Sequence, residues 1–373
     1  MKQLAVNNYH QETFVLNLGP QHPATHGVLR VKLTMDGEYI VHAEPVLGYI
    51  HRMHEKMGEN RTWAQFMPNT GRMDYLSALS YNHGYAALVE RAMGIEVPER
   101  AEYLRVITVE LNRISSHLVW FGAFILDLGG FTPLLYAFDD REKILDLLES
   151  VTGSRLTYCY FRFGGVYNDI DENFVTGTRE FIKTMRKRMP MYHDLVTKNI
   201  ILIKRLKDIG PISKETIRKY GATGPVARGS GVDYDIRKNE PYSIYPEFDF
   251  DIPVYHECDS MARYMVRMDE IEQSMRIIEQ ALDKLPDGPV MAAKAPKIIK
   301  PPKGDYYQAV EAARGSFGIR AVSDGTNTAY RLKLRSPTFS NLSLFGEVCE
   351  GMLLPDALAL MGSLDLVIPE IDR

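Results

Sequence analysis

Apolar and polar residues alternate at the start of the chain, and near residue 48 this gives way to a spacing of three to four. The stretches ETFVLNL, VLRVKLTMD and EYIVHAEPV alternate as half-buried strands do. Asp36-Gly37 separates the last two and signals a tight hairpin. From about residue 48, HRMHEKMGENRTWAQF and RMDYLSALSYNHGYAALVERAMG read as helices. Pro98-Glu99-Arg100 opens a longer one, with proline near the start and acid in the first turn; it should stop at Gly129-Gly130. The second half of that helix is apolar nearly all round, which predicts burial in a bundle. Another helix follows Thr132-Pro133. FVTGTREFIKTMRKRMPMYHDLVTKNIILIKRLKDIG reads as a helical stretch interrupted at Pro190, ISKETIRKYGATG as a short helix ending at Gly221, and DSMARYMVRMDEIEQSMRIIEQALDKL as an amphipathic helix. From about residue 315, SFGIRAVSDGTNTAYRLKLRSP returns to strands, followed by a small helical piece and SLDLVIPEIDR. Segments 222–256 and 285–304 read as long connections, a class that often contacts partners.

Sheets at both ends and a helical bundle between them predict one α+β domain over 1–373. Its parts are an N-terminal β-meander (1–47), a helical core with connecting loops (48–284) and a C-terminal β/α part (285–373). A net charge of −4, with basic residues scattered, gives no support to a nucleic-acid partner. Cys159, Cys258 and Cys349 lie far apart and form no CxxC, which argues against a disulfide framework and against an iron–sulfur or cysteine-rich zinc site within the chain. The longest apolar run, Leu118–Leu126, falls short of the roughly 20 residues a membrane-spanning helix needs. MKQLAVNNYHQET has no apolar core of a signal peptide. The expectation is a soluble chain able to dock on a membrane protein.

GPQHPATHGVLR places His22 and His26 four apart on a loop broken by prolines and glycines. A metal site, a proton-handling site and ordinary turn chemistry compete for it. His51 and His54 in GYIHRMHEK match neither HExxH nor HxxEH, and a metal needs three or four ligands with supporting partners. They read as a solvated or partner-facing helix turn, and no metal is assigned. Asp127 ends the most apolar run, just before Gly129-Gly130. It is either near an interface or desolvated, and an acid so placed is a functional candidate; the plain alternative is a helix end, although the helix dipole disfavours acids there. Tyr75 sits near a predicted helix start, beside Arg72 and Asp74. A phenol, with a pKa of about 10, can give up a proton when a strong base forms beside it. With 21 tyrosines in the chain, composition does not single it out. GxSxG, Walker A and Rossmann fingerprints are absent.

In order, GPQHPATHGVLR, GYIHRMHEK, ENRTWAQFMPNTGRMDY, ITVELNRISSHL, LDLGGFTP, YFRFGGV, GATGPVARGSGVDYDIRK, PYSIY, FDFDIPV, QSMRIIEQAL, VSDGTNTAYRLKLRSP and VIPEIDR resemble one family over essentially all 373 residues. It is the 49-kDa type, or D subunit, of respiratory complex I, the proton-translocating NADH:quinone oxidoreductase. The resemblance implies a fold similar to the large subunit of nickel–iron hydrogenases. Here, however, Asp365 is followed by LVIPE where a hydrogenase carries its second CxxC, so nickel has no ligands.

The same resemblance implies that His26 and Tyr75 hold opposite sides of a quinone headgroup, that Asp127 pairs with the loop histidine, and that His22 shapes the site. Arg52 and Arg72 match positions facing a 4Fe-4S cluster held by the neighbouring B subunit. The substrate implied is menaquinone or ubiquinone, with no cofactor bound by this chain alone. The partners implied are the B, C, H and I subunits of complex I, and the location is peripheral, on the cytoplasmic side of the cell inner membrane. The alternatives are a membrane-bound hydrogenase-like complex and a ferredoxin-fed relative of complex I. Some positions depart from the family pattern. Thr157 stands where many relatives carry a histidine, which implies weaker coupling of cluster reduction to proton uptake and a low-potential quinone such as menaquinone. Ala262 in CDSMARY, Tyr234 in VDYDIRK and Met53-His54 in HRMHEK also differ.

Overall fold

The computed structural model describes residues 13–21 and 27–373. His22 and His26 lie outside the described residues. Strands β1 (Phe14–Leu18), β2 (Arg30–Asp36) and β3 (Tyr39–Val46) form an antiparallel sheet in sequence order, with Asp36 opposite Tyr39 across the Asp36-Gly37 turn. Alternation along β2 and β3 buries Val31, Leu33, Met35, Ile40 and Ala43. They pack with Phe345, Leu360 and Leu364 from the C-terminal end of the chain.

The helical region begins with α1 (His54–Asn60) and α2 (Trp63–Thr70). The single helix read from the sequence is split at Thr62, whose hydroxyl accepts the Gln65 N–H while the Gln65 side chain accepts the Thr62 N–H. Helix α3 (Ala78–Met93) starts later than its apolar spacing suggests, so Tyr75 lies in the turn before it rather than in its first turn. Helix α4 (Glu99–Asp127) runs the length expected and is buried on nearly every side, packed among α3, α5 (Phe131–Thr152) and α11 (Ser260–Asp283). Between α5 and α11 come the hairpin β4 (Phe161–Arg162) and β5 (Gly165–Val166), then α6 (Glu172–Tyr192), α7 (Ile200–Leu206), α8 (Lys214–Tyr220), α9 (Pro225–Arg228) and α10 (Ile236–Asn239). Helix α6 runs past Pro190 and widens into a π turn at His193–Thr197.

The C-terminal sheet holds β6 (Gly304–Ala312), β7 (Gly315–Ser323) and β8 (Arg331–Arg335), antiparallel in that order. Strand β6 follows directly on a segment read as a long connection. Helices α12 (Pro337–Ser343), α13 (Phe345–Val348), α14 (Leu354–Leu364) and α15 (Ile368–Asp372) close the chain. Helices with small antiparallel sheets make the fold α+β, as expected.

A backbone crossing sets one corner of the core. Gly224 (φ 70) and Gly315 (φ 127) pass so closely that a Cβ on Gly224 would lie 2.4 Å from the Arg314 carbonyl oxygen. Only glycine tolerates both the dihedral and the approach, and the crossing fixes where Arg314 enters the core.

Candidate functional site

A cavity of about 300 Å³ opens where three distant segments meet. Tyr75 and Leu76 come from the turn before α3. Val119, Trp120, Ala123, Leu126 and Asp127 come from the end of α4, and Asp365, Leu366 and Val367 follow α14. Most of the lining is apolar, with Tyr75, Asp127 and Asp365 as its acidic or phenolic members. A wider groove of about 630 Å³ between α5 and α6 carries Asp146, Asp171 and Glu180 on an open surface, without such convergence.

Local chemistry holds Tyr75 in place. The Asp74 carboxylate accepts the N–H groups of Leu76 (3.1 Å) and Ser77 (3.2 Å), closing an Asx-type turn around it. From α4, Asn112 donates to the Leu76 carbonyl (3.0 Å) and accepts the Leu79 N–H (3.2 Å). Tyr75 is half-buried, and no described residue hydrogen-bonds its hydroxyl. Burial raises its pKa, with the charges of Asp74 and Asp365 adding to the rise and Arg314 opposing it.

Behind the tyrosine lies a buried ionic knot. Arg314 donates to both Asp74 oxygens (3.0 and 3.2 Å), to Ser116 Oγ (2.9 Å) and to Asp365 Oδ1 (3.1 Å). Arg267 Nε lies 3.7 Å from Asp365 Oδ2. The Arg267 guanidinium also sits 4.3 Å over the Trp120 ring, whose Nε1–H is fixed on the Gly362 carbonyl (2.8 Å). Burial raises Asp74 despite Arg314. Asp365 adopts a left-handed conformation (φ 55) at the end of α14, which aspartate tolerates better than most residues.

Asp127 is exposed at the cavity, so within this chain it is not the desolvated acid that was one of its two readings; proximity to an interface is the other. Arg52 and Arg72 come together: Arg52 Nη2 donates to the Arg72 carbonyl (2.7 Å), and both side chains are exposed. Arg72 and Tyr75 share one turn, so the arginine pair adjoins the tyrosine segment. Asp372 secures the Arg52 loop by accepting the N–H groups of Gly48 and Ile50 (2.9 Å each), and its carbonyl faces His51 Nδ1 (2.6 Å). His54, read as solvated or partner-facing, is buried instead. Neither ring nitrogen has a partner among the described residues. Burial, then the charges of Arg52, His51 and Arg72, lower its pKa to about 4.

Among the described residues, no three or more His, Cys, Asp or Glu side chains cluster so as to hold a metal. No described helix is long and apolar enough to cross a membrane. Sequence patterns did not reveal Asp74, Arg314 or Trp120 as site residues, and Asp365 served only as a landmark. An acid inside the apolar stretch LALMGSLDLVIP was the available signal.

Residues 127–373 match the family described as respiratory-chain NADH dehydrogenase, 49 Kd subunit. The chain belongs to this 49 kDa subunit family. The D subunit of the NADH-quinone oxidoreductase of Desulfotalea psychrophila is 78% identical over 362 residues, covering 97% of each chain. The D 2 subunit of the NADH-quinone oxidoreductase of Opitutus terrae is 68% identical, over 99% of this chain and 92% of that one. The D subunit of Syntrophobacter fumaroxidans is 58% identical, over 97% of each. The 49 kDa family match runs through the part of the chain that holds Asp127, Arg314 and Asp365. The likeness to the three relatives also spans the N-terminal sheet and the Tyr75 turn.

Proposed function

We propose that this chain is the peripheral-arm subunit that forms the quinone-reduction chamber of a respiratory complex I of the proton-translocating type, with a core akin to that of the hydrogenase large subunit. It works against the B, C, H and I subunits, on the cytoplasmic face of the inner membrane. The observation that carries the reading is the convergence of Tyr75, Asp127 and Asp365 on one mainly apolar cavity in a member of this family. Its volume is at the small end of ligand pockets, which run from about 300 to 1,000 Å³, and suits a quinone ring rather than a ring with its whole tail.

A 4Fe-4S cluster held by the B subunit would supply the electrons, and the exposed Arg52–Arg72 pair would be the face this chain turns toward it. Reducing a quinone takes two electrons and two protons. Burial keeps the Tyr75 phenol protonated until a strong base forms beside it, so the proton is released only as charge arrives. His26, on the loop outside the described residues, is the second donor. Asp127 at the cavity edge stabilises the imidazolium form of that histidine. The apolar walls, with Trp120 locked by its own hydrogen bond, hold the ring and exclude water.

The test is Tyr75→Phe in the assembled complex. It keeps the ring packing and removes the proton. Quinone reductase turnover should fall about 100-fold or more, with electron transfer from NADH to a water-soluble artificial acceptor unchanged. Unaltered quinone turnover would overturn the reading.

A further inference from the structure

Arg267 on α11 is buried behind the cavity, and the fold leaves its charge poorly served. Among the described residues, each of the other fully buried arginines donates to more than one acceptor group, as Arg314 does to Asp74 and Asp365 and Arg228 to Glu270 and Glu311. Arg267 donates once, from Nη1 to the Arg263 carbonyl (2.9 Å), while Nε and Nη2 have no hydrogen-bond partner among the described residues. Unpaired buried donors are costly, and an apolar side chain of similar volume would fill the place without that cost. What the guanidinium faces gives the charge a use. It lies 4.3 Å over the Trp120 ring, and its Nε is 3.7 Å from Asp365 Oδ2, an oxygen with no hydrogen bond among the described residues. Trp120 and Asp365 line the cavity, and Arg267 stands behind them. Trp120 is also stacked on Phe124, with ring centroids 5.0 Å apart, and pinned through its N–H, so the indole is held in place. Burial lowers the Arg267 pKa to about 10 against the Asp365 and Glu270 charges, which leaves it charged at neutral pH.

Resting on the quinone reading of this cavity, we infer that Arg267 is a positioning residue for the quinone ring, acting through Trp120 and Asp365. Its cation steadies the indole wall. It also offsets the Asp365 carboxylate, whose Oδ2 would otherwise present an uncompensated negative charge at the wall. Electrons arriving on the ring bring negative charge before the protons follow. A bare carboxylate beside the ring opposes that charge strongly in a poorly solvated cavity. A quinone of low potential has the least driving force to spare. Arg267 therefore matters most for a naphthoquinone-type acceptor and least for a benzoquinone of higher potential. No bond forms or breaks at Arg267, and it passes neither proton nor electron.

The test compares kcat of the assembled complex with a short-tailed naphthoquinone and with a short-tailed benzoquinone. Arg267→Met keeps the bulk and removes the charge. The naphthoquinone-to-benzoquinone ratio of kcat should then fall about tenfold, with electron transfer from NADH to a water-soluble artificial acceptor unchanged. Arg267→Lys keeps the charge and should restore most of the ratio. Asp365→Asn keeps an oxygen for Arg314 and removes the opposing charge, so the ratio should rise above that of the wild type. This variant decides if Arg267→Met does not assemble. A packing role would lower both turnovers together. An unchanged ratio in Arg267→Met, no recovery in Arg267→Lys, or a ratio that fails to rise in Asp365→Asn overturns the inference and leaves the quinone reading standing. An unimpaired Tyr75→Phe overturns both.

Discussion

His54 shows how far a side chain's setting can depart from its local pattern. The HxxH spacing was legible, and it placed His54 near the start of a helix, where it lies. That α1 would be covered by β8 was not legible, because the two are separated by more than two hundred residues of sequence. The result is a buried neutral imidazole. The pH dependence follows from its sign. The folded pKa is about 4 against an ordinary 6.5, so between these values the unfolded chain binds more protons. His54 therefore costs no stability above about pH 6.5 and destabilises the fold progressively as pH falls toward 4. His54→Leu should flatten the stability-versus-pH curve in that window, with the variant gaining on the wild type as pH drops. Unfolding midpoints measured across pH 4 to 7 check this, and parallel curves would contradict it. The same contrast holds at the cavity. Asp127 was a candidate because it ends the most apolar run, Tyr75 only through the family resemblance, and both line the cavity, whereas Arg314 and Trp120 matter through partners that only the fold supplies.

Among the elements, those whose signals are local were read well. Helix α4 has acid in its first turn, an unbroken helical spacing and a double glycine after its end, and it runs as expected. The Thr62 capping box was also local but lay inside a continuous apolar spacing, so α1 and α2 read as one. Strand β6 escaped because its alternation covers only its first half; its second half is buried throughout. The Gly224–Gly315 crossing has no local signal beyond the glycines themselves, yet it positions Arg314. Two substitutions compare an ordinary helix-capping glycine with the crossing. Gly221 caps α8 at φ 63 with open space around its missing Cβ, so Gly221→Ala should cost only the left-handed penalty, about 1–2 kcal/mol. Gly224→Ala would put a side chain at φ 70, ψ −149, a region essentially restricted to glycine, and adds a clash with the Arg314 backbone, so it should cost at least about 2 kcal/mol more. Thermal unfolding of the two variants gives the difference, and equal losses would show that the crossing relaxes easily.

Across the chain, distant segments are tied together at the site. The N-terminal sheet packs on the C-terminal helices, Asp372 grips the loop that carries Arg52, and the cavity draws on residues near 75, 120 and 365. The cavity does not exist in any one segment, which is why sequence patterns predicted the elements and the α+β class but not which residues line it. It also explains the number of charges in the core. Burial alone would raise Glu110, but Arg113 and Arg237, with the Ser274 and Tyr245 hydroxyls, outweigh it and bring it down to about 2. Such pairs fix the relative placement of α4, α10 and α11. The measurement that decides whether this cavity is a quinone chamber is a structure of the assembled complex with a short-tailed quinone bound. The ring should lie against Trp120 and Val367 with one carbonyl oxygen within about 3 Å of the Tyr75 hydroxyl. A ring bound elsewhere, with Tyr75 sealed from it, would contradict the assignment.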